Sequence, residues 1–246
     1  MTFGAMFGVL SAAAALVAGA IAAVAGFGIG SVLTPVLGLK VDTRLAVAAI
    51  AIPHVVGTAQ RWWMLRRHVD RRVLVGFGIT SAAGGLAGAL LHARITSRAL
   101  ALVFGLLLIL AGLSELTGWI RRVRWGRRAA WVSGALSGLL GGLVGNQGGI
   151  RTAAMLGFDV PKESFVATAT AIALFVDAAR MPVYFATQGR AVLGLWRWLL
   201  VATAGVVVGT LLGRRVLTRL PQAAFRRVIA ALLLALGAWM LAVGGR

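Results

Sequence analysis

Gly145-Asn146-Gln147-Gly148-Gly149 is a polar, glycine-rich break in the middle of an apolar run that extends from 129 to 158. In a bilayer, a backbone group without a hydrogen-bond partner costs several kcal/mol, so such a break is not expected to face lipid. It is expected to line a cavity within the protein. We therefore predict that this run enters the membrane, breaks at 145–149 and returns to its starting side.

A second stretch of the same kind, Gly26-Phe27-Gly28-Ile29-Gly30, interrupts the apolar run from 5 to 39. We call it the first break and the stretch at 145–149 the second break. The breaks begin 119 residues apart (145 minus 26), and many residues that follow them match at that offset, among them Arg61 and Arg180. An ordered set of matches predicts two copies of one membrane unit.

The composition indicates a membrane protein. The 246 residues are 60% hydrophobic and only 13% charged, too few polar groups for the surface of a soluble domain. A net charge of +19 would suggest nucleic acid in a soluble protein, but here the arginines separate apolar runs of bilayer length. We therefore predict lipid, and no nucleic acid, as a partner. The absence of cysteine excludes disulfides and thiol catalysis.

The fold class predicted from these runs is an all-α integral membrane protein with two homologous inverted repeats. About eight apolar segments follow one another, and each half is expected to contain a glycine-broken re-entrant helix and three transmembrane helices. The first repeat is predicted at 1–120 and the second at 129–246, with a basic cytoplasmic linker at 121–128. The sequence is also compatible with a homo-oligomer.

Loop charge predicts the inverted arrangement. Two of the 25 basic residues, Arg61 and Arg180, lie inside apolar runs, which leaves 23 for the loops (25 minus 2). If the amino terminus is outside and both broken runs return, 16 of these residues lie inside and 7 outside, with Arg151 counted inside. If all runs span fully, the division is 12 and 11. Only the first arrangement follows the positive-inside rule.

Several glycines and aromatic residues fit structural roles. Gly84 and Gly88 match Gly205 and Gly209 after a two-residue insertion, and both pairs place small residues one helical turn apart for close helix packing. Tyr184, the only tyrosine, lies near the end of an apolar run, as do most of the eight tryptophans. We interpret these aromatic residues as anchors at the membrane interface.

Arg61 and Arg180 are the leading candidates for substrate binding, because a charge inside a span is costly and usually functional. An inverted pseudo-twofold axis would place them on opposite sides of one central site, where two guanidinium groups can clamp an oxyanion. Two structural alternatives remain open. Arg61 could extend toward the nearby basic loop, and Arg180 could pair with Asp177, three residues earlier on the same helix face.

The breaks provide a second route to anion binding. Unwound backbone exposes NH groups, and a half-helix that begins there directs its positive dipole end at the cavity. The candidate substrate-binding residues of the breaks are Gly26, Gly28, Gly30, Gly145, Asn146, Gln147, Gly148 and Gly149. Close helix packing is the alternative role for these glycines.

Asp177 and His54 are candidates for proton coupling. Asp177 is a carboxylate within a span and could accept a proton in a transport cycle. The counterpart of His54 at the repeat offset is Ala173 (54 plus 119), so the repeat gives the histidine no paired role, and packing is the alternative. His54, His68 and His92 fall on different segments without ligand spacing, so we predict no metal and no cofactor.

Three motifs are the most specific: Gly145–Arg151 (GNQGGIR), Phe165–Thr168 (FVAT) and Asp177–Tyr184 (DAARMPVY). With the first break and the proline at 35, they resemble the sulfite exporter TauE/SafE family of bacterial permeases. The resemblance covers nearly the whole chain. It implies a multi-pass transporter of the bacterial cytoplasmic membrane that moves sulfur-containing anions such as sulfite or organosulfonates, generally outward.

Anion transport by alternating access between the repeats is therefore the predicted function, and we predict no enzymatic activity. An intramembrane enzyme acting on a lipid or phosphate ester is one alternative, but it would need a nucleophile or a metal. Ser31, Ser133 and Ser137 have no histidine at a recognisable spacing. A membrane assembly partner of another transporter is the second alternative, and it would leave Arg61 and Arg180 without a role.

Overall fold

The computed structural model describes residues 3–119, 127–145, 148, 151, 155, 161–217 and 221–244. The regular structure in these residues is helical throughout and contains no strand, which confirms the all-α prediction. The α-helices described in full are α1 (Phe3–Ala25), α2 (Ile29–Leu37), α3 (Thr43–Leu65), α4 (Arg71–Arg94), α5 (Ser97–Thr117), α6 (Arg127–Val144), α7 (Lys162–Gly194), α8 (Trp196–Leu217) and α9 (Gln222–Gly244).

Six of these helices, α1, α4, α5, α7, α8 and α9, are long and apolar enough to cross a membrane. A shorter apolar helix occupies Trp131–Val144 within α6. The protein is therefore a multi-pass membrane protein. Helix α7 has 33 residues, more than the roughly 20 that one span needs.

The first break makes a hairpin of α1 and α2. Gly26 and Gly28 have φ of 78° and 134°, values that glycine adopts without a Cβ clash. A Cβ on Gly28 would lie 2.8 Å from Cγ2 of Ile21, so the start of α2 folds back onto α1. Beyond α2, Nζ of Lys40 lies 4.6 Å from the ring centroid of Phe7, near the start of α1. The first broken run is thus re-entrant, as predicted.

We call the end of the molecule that holds Lys40 the near end, and the end that holds the 3-10 helix Arg66–His68 the far end. Helix α3 runs from the near end to the far end. Helix α4 returns, because the hydroxyl of Ser97 just beyond it donates to Asp42 at 2.7 Å, in the loop that precedes α3. The two loops of the near end are therefore joined.

Helices α4 and α6 run in the same direction. A Cβ on Gly84 would lie 2.1 Å from the carbonyl oxygen of Ala135, and one on Gly88 would lie 2.0 Å from that of Leu139. Helix α6 therefore runs toward the near end, whereas its counterpart α1 runs away from it. The two halves have opposite directions, which agrees with the inverted prediction.

Packing between the halves is reciprocal. The repeat offset makes α6, α7, α8 and α9 the counterparts of α1, α3, α4 and α5. The contact of α1 with α8 corresponds to the contact of α6 with α4, and the contact of α4 with α7 corresponds to that of α8 with α3. The contacts of α3 with α7 and of α5 with α9 each join a helix to its own counterpart. Each of these contacts is matched by the contact between the two counterparts, which is the pattern of a pseudo-twofold axis between interlocked copies.

The glycine pairs lie where these helices cross. A Cβ on Gly209 would lie 2.1 Å from the carbonyl oxygen of Leu16, and one on Gly205 would lie 2.7 Å from Cβ of Ala15. Together with Gly84 and Gly88 of α4, they bring the backbones of the paired helices into contact. The predicted packing role of the four glycines is confirmed.

The structure describes only part of the region between the halves. Residues 121–126 of the predicted linker lie outside the described residues, whereas 127 and 128 belong to the first turn of α6. The helix therefore begins two residues before the predicted boundary at 129. Most of the return segment after the second break also lies outside the described residues.

Candidate anion-binding site

The two breaks touch each other in the interior. A Cβ on Gly30 would lie 2.6 Å from the carbonyl oxygen of Gly145, and a Cβ on Gly148 would lie 2.2 Å from Cβ of Phe27. These glycines are required because any side chain at positions 30 or 148 would force the breaks apart. In contrast, a Cβ on Gly26 would meet no heavy atom of the described residues within 4 Å.

Three candidate residues of the second break, Asn146, Gln147 and Gly149, lie outside the described residues. Gly145, at the end of α6, has φ of 73° and is placed close to an arginine. A Cβ on it would lie 3.4 Å from Nη1 of Arg180. The second break is therefore adjacent to one of the two predicted clamp residues.

Asp177 lies at the centre of a buried polar cluster and has no exposed surface. Its Oδ2 lies 2.8 Å from Nδ1 of His54 on α3, and its Oδ1 lies 2.8 Å from Nη2 of Arg180. Nη1 of Arg180 donates to the carbonyl oxygen of Gly141 on α6 at 2.6 Å. The cluster connects α3, α6 and α7. The alternative in which Arg180 pairs with Asp177 is therefore observed, and His54 is the second partner of the carboxylate.

Arg61 is buried beside this cluster. It is only 5% exposed, so the alternative in which it extends to the basic loop is wrong. Its Nη2 donates to the hydroxyl of Thr58 at 3.1 Å. Nε and Nη1 are buried and have no hydrogen-bond partner among the described residues. The charge of Arg61 acts on both His54 and Asp177, so the two predicted arginines share one site.

Arg151 is a third arginine of the site, and the sequence analysis missed it. It was counted among the cytoplasmic loop charges, which is wrong, because it is buried in the interior with 4% exposure. Its Nη1 has no partner among the described residues, and its charge interacts with those of Arg61, Asp177 and Arg180. Without Arg151, 15 basic loop residues lie inside (16 minus 1) and 7 outside, so the predicted excess of basic residues on the inside remains. Its position two residues after the second break was the available signal.

The site has more positive than negative charge. Among the buried residues that the structure describes, three arginines accompany one carboxylate, a surplus of two positive charges (three minus one). Buried charges without compensation are strongly unfavourable. A guanidinium group presents N–H donors in a fork that matches an oxyanion. The arrangement is therefore suited to bind an anion.

A row of polar side chains extends from this cluster toward the near end. The hydroxyl of Tyr184 donates to the carbonyl oxygen of Gly142, and the residue is 1% exposed. The interpretation of Tyr184 as an interfacial anchor is therefore wrong, because α7 continues well beyond it. Its ring centroid lies 4.9 Å from that of His92, another buried residue.

His92 connects three helices. Its Nδ1 lies 2.8 Å from the carbonyl oxygen of Leu143, which can only accept, so this nitrogen carries the proton. Its Nε2 lies 3.3 Å from the side-chain nitrogen of Gln188. Positions 177, 180, 184 and 188 of α7 follow a helical spacing of three and four residues, so they share one face. That periodicity could have identified Tyr184 and Gln188 from the sequence.

A comparison with known protein families gives a match that covers most of this chain. The family model described as Sulfite exporter TauE/SafE matches residues 11–240. The matched range contains the arginine cluster and both breaks. Neither the curated proteins nor the solved structures that were compared with the chain gave a match.

Proposed function

The chain belongs to the sulfite exporter TauE/SafE family, and from this membership we propose that it exports small sulfur-containing anions such as sulfite or organosulfonates. It does so across the bacterial cytoplasmic membrane, by alternating access at a central site between two repeats. The family is one of membrane transporters of sulfite or related anions, which favours this role over the intramembrane enzyme and the assembly partner.

The observation that carries the proposal is the surplus of buried positive charge. Arg61 and Arg151 are at least 95% buried (5% and 4% exposed), yet two guanidinium nitrogens of Arg61 and one of Arg151 have no partner among the described residues. Unpaired buried donors and charges both raise the free energy of the empty site. An oxyanion with several acceptor oxygens satisfies the donors and compensates the charge at the same time.

The breaks support binding at mid-depth of the bilayer. Helix α2 has nine residues, about 14 Å at roughly 1.5 Å per residue, or about half of a hydrocarbon core of about 30 Å. Its amino-terminal end therefore lies near the middle of the membrane, where free NH groups and the helix dipole attract an anion. We propose that Gly26, Gly28 and Gly30 act with the whole second break, 145–149, to surround the substrate.

The reciprocal packing of the halves supports alternating access. We take 1–120 and 129–246 as the two repeats and 121–128 as a cytoplasmic linker. A site between inverted repeats can open to either side when one repeat rocks against the other. The contacts of α3 with α7 and of α5 with α9 join the two halves, so such a movement would change these two interfaces.

The pair of His54 and Asp177 is proposed to couple transport to a proton. Asp177 binds both His54 and Arg180, at 2.8 Å in each case. A proton that neutralises the carboxylate would weaken its hold on Arg180 and raise the positive charge of the site. Proton binding and anion binding would then favour each other.

Transport in proteoliposomes tests the function. We expect purified protein to move sulfite, and we expect Arg61→Ala and Arg180→Ala each to lower the rate at least tenfold while insertion and protein amount stay near normal. Arg61→Ala removes a charge that binds the anion, and Arg180→Ala leaves Asp177 as a repelling charge. Wild-type flux in both purified variants would refute the arginine site.

Ligand-dependent thermal unfolding gives an independent measurement. A ligand that binds only the folded protein raises its stability by roughly 2.7 kcal/mol at a hundredfold excess over Kd. We expect sulfite or a small sulfonate to raise the melting temperature of the wild type, and chloride to have little effect. The shift should disappear in Arg180→Ala. If no sulfur oxyanion produces a shift, the protein carries another class of solute.

A further inference from the structure

The two arginines at matching positions of the repeats have different partners. Each contacts the side chain three residues earlier on its own helix: Arg180 pairs with Asp177 at 2.8 Å, and Arg61 donates to Thr58 at 3.1 Å. Position 58 is the counterpart of position 177 at the repeat offset (177 minus 119). The same arrangement thus uses a carboxylate in the second half and a neutral hydroxyl in the first.

This difference compensates Arg180 but not Arg61. Both terminal nitrogens of Arg180 are engaged, Nη2 by Asp177 and Nη1 by the carbonyl oxygen of Gly141 at 2.6 Å. Nε of each arginine has no partner among the described residues, but Arg61 uses only Nη2, so its Nη1 also remains buried without one. The guanidinium of Arg61 therefore keeps both its charge and its donors available for a ligand.

Arg151 is the second buried arginine with a guanidinium nitrogen that has no partner among the described residues. It is 4% exposed, and its Nη1 has no partner among the described residues. Its charge interacts with that of Arg61, which raises the free energy of the site, since like charges repel in a low-dielectric interior. The one buried carboxylate of the described residues, Asp177, is occupied by His54 and Arg180. Among the described residues, no other buried carboxylate is left to compensate Arg61 and Arg151, and a bound anion would supply that negative charge.

We propose that Arg61 and Arg151 bind the charge of the transported anion, and that Thr58 determines this by leaving Arg61 without a carboxylate. The inference rests on the proposed function, because it assigns roles within the same site. Arg180 is then a positioning residue that, with Asp177 and His54, holds α3, α6 and α7 around the anion.

Two variants of Thr58 test the role of the missing carboxylate. Thr58→Asp gives Arg61 a carboxylate partner, as Asp177 is for Arg180. Thr58→Asn introduces a side chain of almost the same shape as aspartate but without its charge. We expect sulfite to bind the full-length Thr58→Asp protein at least tenfold more weakly than Thr58→Asn, measured by calorimetry in detergent. Equal affinities would overturn the role assigned to Thr58.

Two matched double variants test whether Arg61 and Arg180 contribute unequally to anion binding. Thr58→Asn with Arg61→Gln removes one net positive charge, whereas Asp177→Asn with Arg180→Gln removes an ion pair and no net charge. We expect the second to bind sulfite at least tenfold more tightly than the first. Equal affinities, or the reverse order, would overturn the proposal even if Thr58→Asp failed to fold.

The wild type separates this inference from the proposed function. If it binds none of sulfite, sulfate and a small sulfonate, the proposed function fails and the inference fails with it. If it binds sulfite but the two double variants bind equally, only the inference fails. Far-UV circular dichroism and a single gel-filtration peak establish that each variant is folded.

Discussion

At the residue scale, Asp42 performs two structural tasks with one carboxylate. Its Oδ1 accepts a hydrogen bond from the backbone NH of Leu45 at 3.1 Å, which caps α3, and another from the hydroxyl of Ser97 at 2.7 Å. Partial burial opposes ionisation, but the bonds from Ser97 and Leu45 outweigh it and hold the pKa of Asp42 below its ordinary value of 3.8. The ionised form therefore stabilises the near end.

We expect Asp42→Ala to lower the free energy of unfolding by about 1 kcal/mol at neutral pH, the usual effect of losing such a cap. Because the folded-state pKa is lowered, this stabilisation is complete above the ordinary carboxyl pKa of 3.8 and is lost as pH falls through the folded-state value. Urea unfolding in detergent at several pH values measures the difference. Asp42→Asn is the control, because it keeps an acceptor but does not titrate. A difference that did not shrink in acid would contradict this explanation.

At the element scale, glycines control how closely helices approach each other. On α4, a Cβ at Gly88 would lie 2.0 Å from the carbonyl oxygen of Leu139, whereas a Cβ at Gly76 would lie 3.6 Å from the ring of Trp131. The first distance is impossible without movement of α6, and the second is an ordinary van der Waals contact. Helix α4 therefore contains one glycine, Gly88, that cannot gain a Cβ without movement of α6, and another, Gly76, that can.

We expect Gly88→Ala to lower the free energy of unfolding by about 1–3 kcal/mol, the usual cost of overpacking. Gly76→Ala is the matched control, and we expect it to be neutral or to stabilise the helix by up to about 1 kcal/mol through higher helix propensity. Thermal unfolding of both variants in the same detergent makes the comparison. Equal melting temperatures would show that α4 and α6 are not in close contact.

At the scale of the whole molecule, the direction of the helices places distant loops at the same end. Arg67 lies in the 3-10 helix at the far end, and Arg215 lies near the end of α8, which runs parallel to α1 and so also ends there. Lys40 lies at the near end. The excess of basic residues at the far end predicts that it faces the cytoplasm.

We expect single cysteines at positions 67 and 215 to be protected from a membrane-impermeant thiol reagent in intact cells, and a cysteine at position 40 to be labelled. The absence of native cysteine makes each signal specific. Permeabilised cells provide the control, since all three positions should then react. Labelling of 67 but not 215 in intact cells would contradict the inverted arrangement.

The sequence by itself determined the class of the protein and the plan of its fold. Apolar runs of bilayer length require a membrane, a polar break cannot face lipid, and matching residues at one offset imply a repeat. These are properties of local composition and order, so they can be read without coordinates. The same reasoning identified Arg61, Arg180 and Asp177, because a charge within a span is rare.

Only the tertiary structure decided which of these residues meet. His54 and Asp177 are separated by 123 residues and lie on helices of different halves, so no local pattern could pair them. Arg151 was counted as a loop charge because the broken run was predicted to return to its starting side, yet the residue is buried in the interior. A sequence pattern describes one face of one helix. Which helix covers that face depends on backbone approach at glycines and on packing between the halves, and both exist only in the folded molecule.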